Sequence, residues 1–261
     1  MDENLIRNGE QHTSTAQVQI INEHFDIPQL GLQRRIWLYL PKNYEGTNLH
    51  YPVIYMQDGQ NLFDAATASF EEWRIDEFMK SLPDDKQCII VGIDHGEEAR
   101  ITEYNPFDTE HGQGRGNDYA DFLVQTLKPF IDKNYRVLGD AQHTVIAGSS
   151  MGGLIAMFST LKYPDVFGQA GIFSPAFWIA TEIYEYAKNS SIADHSRIYF
   201  ICGDSESEVM VGDIQGMADV MRSKGISEDN SPVTIIPGAG HNEQQWQNDF
   251  PAFYDWLYKS F

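Results

Sequence analysis

The stretch AGSSMGG (residues 147–153) decides the fold, because it joins an apolar run, HTVIAG, to a segment with a helical pattern, GGLIAMFSTLKY. Residues 148–152 fit GxSxG, in which a serine lies on a strained turn between a strand and a helix with its hydroxyl exposed in a cleft. A glycine-rich packing turn or a phosphate loop fits the same five residues. If Ser150 is a nucleophile, the rest of the chain must supply a base, an acid and an oxyanion hole.

On either side of this stretch, apolar segments alternate with helical ones. The first two predicted strands alternate polar and apolar residues, as half-exposed antiparallel strands do, and the later ones are almost continuously apolar, as in a parallel sheet buried on both faces. We therefore predict a single α/β domain over 1–261, with a mostly parallel central sheet, antiparallel N-terminal strands and helices on both faces. The predicted strands are 18–25, 34–41, 51–58, 88–94, 143–148, 168–174, 197–203 and 232–238, and the predicted helices are 70–82, 117–135, 152–163, 179–188, 207–225 and 242–261.

Composition excludes several classes of function. Hydrophobic residues make up 42% and aromatic residues 13% of the 261 residues, which is typical of a globular chain. The formal net charge of −20 repels polyanions, so neither nucleic acid nor an anionic membrane is expected as a partner. The polar, acidic N-terminus has no signal-peptide pattern, which predicts a cytoplasmic protein or a processed periplasmic form.

Cysteine and histidine usage predicts neither a metal nor a cofactor. Cys88 and Cys202 lie in separate apolar runs, where a free cysteine acts as a small hydrophobe, so a disulfide and a thiolate metal site are not expected. His95 and His111 have acidic neighbours but no metal-ligand spacing. Both histidines belong to a long irregular segment, 95–116, and loops of that length are usually functional or mobile.

A base for Ser150 can be selected by chain order and position. When a serine of this kind lies on an α/β sheet, the acid and then the histidine follow it in sequence. Only His195 and His241 follow Ser150. His195 comes just before a predicted strand, at the opposite edge of the sheet, whereas His241 follows the last predicted strand and reaches the serine's edge. Position therefore selects His241.

The acid is expected after the strand 197–203, where several carboxylates follow one another. Glu206 stands three residues beyond Gly203, the usual offset of a triad acid, and we select it. Asp204 and Glu208 remain as alternatives. The carboxylates that do not serve as the acid are expected to be solvated, or to lie in a first helical turn.

An oxyanion hole needs two N–H groups, one of them from the residue after the nucleophile, which is Met151. The second is expected from Gln60 in the turn DGQN after the strand 51–58, although an ordinary Asp-Gly turn also fits. For substrate binding we consider Trp178, Arg100 and Tyr104. Trp178 could equally belong to the core. Arg100 is expected rather to pair with a carboxylate and to hold down its loop.

With these residues identified, the chain resembles the esterase family of α/β hydrolases that includes enterochelin esterase-like enzymes, esterase D, feruloyl esterase domains and mycolyltransferases. The resemblance is carried by RRIWLYLP, YPVIYMQDGQNLFD, EEW, IIVGID, LKPFIDKNY, GSSMGG, FSPAFW and GHNEQQW. It implies Ser150 as nucleophile, His241 as base and the amides of Met151 and Gln60 as the oxyanion hole. Feruloyl esterase-like members have GxxD where this chain has GDSE, so the acid is carried over less directly.

The resemblance implies hydrolysis of small or sugar-linked acyl esters through an acyl-enzyme on Ser150, without a cofactor. A siderophore trilactone esterase is the alternative within the family. The acidic composition favours simple esters, because catecholates are usually met by cationic residues. A catalytically silent binding protein is a third hypothesis, although the nucleophile, base and oxyanion hole all occur in the expected places.

Overall fold

Eight strands form one sheet in a computed structural model that describes residues 11–261. Its order is β1-β2-β4-β3-β5-β6-β7-β8, with β1, β2 and β4 paired antiparallel and all remaining pairs parallel. All eight predicted strands and the antiparallel N-terminal pair are confirmed. The bounds are β1 Val18–Ile27, β2 Leu32–Tyr39, β3 Val53–Gln57, β4 Ile89–Ile93, β5 Thr144–Ser149, β6 Gln169–Phe173, β7 Arg197–Gly203 and β8 Val233–Ile236.

Helices cover both faces of this sheet, and each face has its own apolar core. Alternate residues of β3 show the division, since Val53 and Tyr55 belong to one core and Ile54 and Met56 to the other. Helices α3 to α7 pack on the first face, and α1 and α8 on the second. The helices are α1 Ile75–Ser81, α2 Arg100–Glu103, α3 Gly116–Phe122, α4 Lys128–Asn134, α5 Met151–Lys162, α6 Glu182–Asn189, α7 Met210–Ser223 and α8 Glu243–Tyr258.

The first predicted helix, 70–82, begins too early. Helix α1 starts only at Ile75, because Arg74 has a left-handed backbone conformation with φ of 55°. Trp73 N–H donates to Asn61 O at 2.8 Å, and Ile75 N–H donates to Leu62 O at 3.0 Å. Residues 70–74 are thus a loop fixed to the turn after β3, and these tertiary hydrogen bonds override the local helical pattern.

The order of the strands fixes where a ligand can bind. Strand β3 has β4 on one side and β5 on the other. The connection from β3 to β4 runs toward one edge of the sheet, and the connection from β4 to β5 returns past β3 toward the other edge. The neighbouring strands β3 and β5 therefore mark a switch point in the order of the strands. In open α/β sheets ligands bind at such a switch point, beyond the carboxyl ends of the strands. The loop after β3 and the turn after β5, which carries Ser150, both lie there.

Two further sequence predictions concern the termini and the cysteines. Cys88 and Cys202 are free and buried, as predicted. No helix within residues 11–261 combines the length and the apolar character needed to cross a bilayer. Residues 1–10, which belong to the predicted domain and to the N-terminal segment used to predict localisation, lie outside the described residues.

Candidate active site

Ser150 occupies a strained turn between β5 and α5. Its backbone φ and ψ are 56° and −121°, a combination that is costly for a residue with a side chain, by about 1–3 kcal/mol. Hydrogen bonds hold the conformation: Ser150 N–H donates to Phe173 O at 3.0 Å, and Ser150 O accepts from Leu154 N–H at 3.1 Å and from Ala176 N–H at 2.9 Å. The fold therefore fixes the residue that GxSxG predicted as a nucleophile.

Glycines make this turn possible because the chain approaches itself closely. A Cβ on Gly148 would lie 2.6 Å from Gly152 O, and a Cβ on Gly152 would lie 3.0 Å from Oδ2 of Asp58. Both positions leave too little room for a side chain without a shift of their surroundings. The glycines thus let α5 begin directly under the serine, as expected from the sequence.

His241 and Glu206 meet at this edge of the sheet. Nδ1 of His241 lies 2.7 Å from Oε2 of Glu206, and the carboxylate side chain is only 1% exposed. An Nδ1–H that donates to Glu206 leaves Nε2 as a proton acceptor. The ring of His241 also lies between two indoles, at centroid distances of 5.0 Å from Trp246 and 6.0 Å from Trp178. The imidazole is thereby held in one orientation.

Two residues that sequence reasoning did not assign to the site hold the carboxylate of Glu206. Its Oε1 accepts from Gly203 N–H at 2.6 Å and from the hydroxyl of Ser174 at 2.7 Å. Ser174 Oγ in turn accepts from Nε1 of Trp246 at 2.9 Å. Trp246, on α8, therefore orients the carboxylate of Glu206 through Ser174. The sequence position of Ser174 could have indicated this role, because Ser174 directly follows β6 and so reaches the same edge of the sheet as Ser150.

The other acids after β7 and the competing histidine make none of the described contacts with His241 among residues 11–261. Asp204 is exposed and accepts from Gly238 N–H at 2.7 Å. Glu208 is exposed, and Asp213 accepts from the hydroxyl of Tyr184 at 3.0 Å. His195 lies in an exposed turn before β7, at the opposite end of the parallel strands from Ser150. Among the carboxylates that follow β7, Glu206 is the one that contacts His241 in the described part of the chain.

The two amides predicted for the oxyanion hole belong to short turns at the switch point. Met151 is the first residue of α5, where the helix offers its N–H no acceptor. Gln60 lies in the 3₁₀ turn Gly59–Asn61 that follows β3, and its side chain accepts from His95 N–H at 3.2 Å. Both residues are only 4% exposed, so their side chains offer little surface to a substrate. The predicted role in the oxyanion hole uses their main-chain N–H groups.

A cavity of about 590 Å³ opens over Ser150. That volume lies within the range of about 300–1,000 Å³ typical of small-molecule sites. The side chains of Ser150 and His241 share this cavity, without a hydrogen bond between them among the described contacts, and such bonds often tighten only with substrate. The lining residues are Asp58, Asn61, Phe70, Glu71, His95, Arg100, Ser149, Ser150, His241, Asn242, Glu243 and Trp246.

Arg100 lines the cavity but is already paired. Its Nε and Nη2 donate to the two carboxylate oxygens of Asp58 at 2.7 and 2.8 Å, as expected from the sequence, and the guanidinium lies over the ring of Tyr104. Although burial alone lowers it, the pKa of Arg100 is raised overall by Asp58. Tyr104 is fully buried and, like Trp178, does not line the cavity, and its role in substrate binding stays a prediction. Its ring supports the Arg100 pair.

Breaking this pair is expected to destabilise the protein. Arg100→Met leaves the Asp58 carboxylate, which is 8% exposed, without its cation, and we expect a loss of about 2–4 kcal/mol in the free energy of unfolding. Urea unfolding of the variant measures it. The double variant Arg100→Met with Asp58→Asn is the control, and it should recover part of the loss. A single-variant loss below about 0.5 kcal/mol would contradict the structural role.

Two further side chains lie near the reacting edge. Trp178 is 42% exposed, and its contact with the ring of His241 is compatible with the predicted role in substrate binding. His95 lines the cavity, and its Nδ1 accepts from Glu97 N–H at 2.9 Å, which leaves the proton on Nε2. Burial is the main cause that lowers the pKa of His95. His95 is therefore a neutral donor, a role that its sequence context did not reveal.

Several known proteins resemble this chain in sequence or in fold. Uncharacterized protein YbbA of Bacillus subtilis is 28% identical over 244 residues, which cover 86% of this chain and 92% of that protein. An iron(III) enterobactin esterase of Dickeya dadantii is 30% identical over 150 residues, 58% of this chain and 32% of that protein. A solved ferulic acid esterase has the same fold, with a TM-score of 0.70 and 20% identity over 94% of this chain and all of that one.

A match to a family model extends these likenesses across almost the whole sheet and the three segments that carry Ser150, Glu206 and His241. The model, described as "Putative esterase", covers residues 27–257, from the end of β1 to the end of α8. The match thus includes the serine turn, the carboxylate after β7 and the histidine after β8. The chain belongs to this esterase family of the α/β-hydrolase fold, and it is a carboxylic ester hydrolase.

Proposed function

We propose that the protein is a serine carboxylesterase that hydrolyses small or sugar-linked, uncharged acyl esters through an acyl-enzyme on Ser150. In this proposal His241 is the general base and Glu206 is the acid that orients it. The N–H groups of Met151 and Gln60 stabilise the oxyanion. Trp178 borders the bound ester beside His241, and Arg100 shapes the cavity through its pair with Asp58.

The hydrogen bond between Glu206 and His241 carries the proposal, because His241 lines the same cavity as a serine that the backbone holds in a strained conformation. A serine hydroxyl becomes a good nucleophile only when a base accepts its proton. Glu206 fixes the tautomer in which Nε2 is free to do so, and the buried carboxylate stabilises the imidazolium that forms.

The reaction follows from these positions. Nε2 of His241 takes the proton of the Ser150 hydroxyl while Oγ attacks the ester carbonyl, whose oxygen becomes the oxyanion. The tetrahedral intermediate collapses, the C–O bond to the alcohol breaks, and the imidazolium protonates the departing alcohol. Water, deprotonated by the same Nε2, then attacks the acyl-serine and releases the acid and Ser150.

The charges around the cavity support an uncharged substrate. Among residues 11–261, Arg100 is the cation of the lining, and Asp58 already matches its charge. Glu71 and Glu243 also line the cavity, and burial is the main cause that raises the pKa of Glu243. A substrate carboxylate placed about 6 Å from one ionised glutamate is disfavoured by roughly 3 kcal/mol at an effective dielectric constant of about 20. A polyanionic substrate would meet no unpaired cation.

A covalent label tests the mechanism. We expect a serine-directed phosphonate to inactivate the purified protein with one adduct, located by peptide mass spectrometry on Ser150. His241→Ala should lose the labelling, since its serine has no base. If the wild-type protein hydrolysed esters but formed no adduct on Ser150, the proposed acyl-enzyme on Ser150 would be wrong.

A matched pair of substrates tests the selectivity. We expect kcat/KM for p-nitrophenyl acetate to exceed that for p-nitrophenyl hemisuccinate, which adds one carboxylate, by at least about tenfold, and the difference to shrink with salt. A catecholate trilactone is the third arm, because an enterobactin esterase is among the relatives. Strong preference for the trilactone would replace the proposed substrate class with siderophores and leave the serine mechanism intact.

A further inference from the structure

Three carboxylates converge at the start of α1, away from the serine. They are Glu72 in the loop before the helix, and Asp76 and Glu77 in its first turn. One carboxylate oxygen of each lies within 4.8 Å of those of the other two. Asp76 is fully buried and Glu72 is 8% exposed, whereas Glu77 is half-buried and gives the cluster a side open to solvent.

Each of these carboxylates has one buried oxygen that accepts no hydrogen bond from a described residue outside the cluster. The three atoms are Oε1 of Glu72, Oδ1 of Asp76 and Oε2 of Glu77. Within residues 11–261, the ion pair made to the cluster is that of Arg74 Nε with Glu77 Oε1 at 3.0 Å. Buried polar atoms are rarely left unpaired in native proteins, and an unpaired buried carboxylate oxygen is more costly than a neutral one. Apart from Arg74, which pairs with Glu77, the described residues 11–261 thus give the two buried carboxylates no positively charged partner.

The other oxygens of the two buried carboxylates are held in place. The hydroxyl of Thr13 donates to Oε2 of Glu72 at 2.9 Å, and Thr15 N–H donates to Oδ2 of Asp76 at 2.6 Å. These donors come from the segment that precedes β1. They engage one oxygen of each carboxylate and leave the second oxygen unpaired, and outer-shell hydrogen bonds of this kind orient metal ligands.

We propose that Glu72, Asp76 and Glu77 form a binding site for a divalent cation, with Ca²⁺ preferred. Carboxylate oxygens are the ligands that hard cations choose. At a Ca–O distance of about 2.4 Å, two oxygens bound to one ion are at most about 4.8 Å apart, and the three carboxylates meet this limit. Mg²⁺ is a weaker match, because it usually keeps several waters and binds through one or two carboxylates.

A cation here links the N-terminal segment to the wall of the cavity. Trp73, next to Glu72, packs against Phe173 and Trp246 at centroid distances of 5.3 and 5.7 Å. Trp246 in turn contacts the ring of His241. The cation therefore holds the loop 70–74 and the segment before β1 against the sheet, and it does not touch the reacting atoms.

Thermal unfolding of the full chain, stripped of metals with a chelator, tests the proposal at neutral pH. We expect Ca²⁺ to raise the melting temperature saturably, by about 5 °C once it exceeds the dissociation constant about 100-fold, and Mg²⁺ to raise it less. Tb³⁺, which replaces Ca²⁺, should give luminescence excited through Trp73, and Ca²⁺ should quench it. These readouts do not depend on esterase activity, so the test is independent of the proposed reaction.

Isosteric variants locate the effect. Asp76→Asn and Glu72→Gln should abolish the Ca²⁺-dependent rise and the Tb³⁺ signal, whereas Glu228→Gln, which removes an exposed carboxylate elsewhere, should retain both. The wild-type measurement stands by itself if a variant fails to fold. No rise in melting temperature up to about 10 mM Ca²⁺ and no Tb³⁺ signal in the wild-type protein would overturn the proposal, as would an undiminished response in Asp76→Asn.

Discussion

Replacing Ser150 with alanine is expected to lower kcat for p-nitrophenyl acetate by about 10⁶, because the variant has no nucleophile to form the acyl-enzyme. The residual rate would come from substrate binding and the oxyanion donors alone, which give about 10³–10⁴ over the uncatalysed reaction. Steady-state kinetics with active-site titration measures the change. Adding His241→Ala to Ser150→Ala should cost almost nothing more, since the two residues act as one unit.

The neighbouring serine supplies the matched control. Ser149 is the last residue of β5, also lines the cavity, and uses its carbonyl oxygen rather than its hydroxyl toward Arg100 at 3.4 Å. Ser149→Ala should therefore keep kcat within a few-fold of the wild-type value. Equal losses in the two variants would show that the turn tolerates no change, and a Ser150→Ala variant that kept most of its activity would refute the assignment of the nucleophile.

The second large effect is expected for Glu206→Gln, which should lower kcat by about 10³–10⁴. The amide oxygen can still accept from Gly203 N–H and from the hydroxyl of Ser174, so the loop should keep its shape. Its NH₂ group would then face Nδ1 of His241, which favours the tautomer with the proton on Nε2. In that tautomer the imidazole cannot take the proton of Ser150.

The two alternative acids provide the comparison for Glu206→Gln. Asp204→Asn and Glu208→Gln change exposed carboxylates of the same loop, and kcat should stay within about threefold of the wild-type value. Circular dichroism of each variant checks that the fold is kept. A loss of about 10³ in Asp204→Asn or Glu208→Gln, with Glu206→Gln active, would transfer the role to that residue.

Much of the architecture could be predicted from the chain. Alternation in β1 and continuous apolar runs in β3 to β7 distinguish half-exposed antiparallel strands from parallel strands buried on both faces, and the sheet has that arrangement. The position of His241 after the last strand, and of His195 before β7, followed from the same reasoning. Strand direction alone decides which edge a loop reaches.

The remaining features depend on contacts between residues far apart in sequence. Helix α1 begins at Ile75 rather than at Phe70 because the turn after β3 binds the preceding loop. Tyr104, predicted to meet substrate, is buried because its ring packs against Tyr119 and its hydroxyl accepts from Asp58 N–H. These contacts join residues that are far apart in the sequence, so no local pattern of charge or hydrophobicity predicts them.

The sequence by itself determined the α/β fold, the strained serine turn and the chain order in which a serine, a carboxylate and a histidine reach one edge of the sheet. Periodicity and strand direction are local properties, and they are enough for those conclusions. Only the tertiary structure distinguished the contacts of Asp204, Glu206 and Glu208, because it shows that the Glu206 carboxylate lies 2.7 Å from His241 and accepts from Ser174. It also brought Glu72, Asp76 and Glu77 together around unpaired oxygens, since burial and hydrogen-bond satisfaction exist only once the chain has packed.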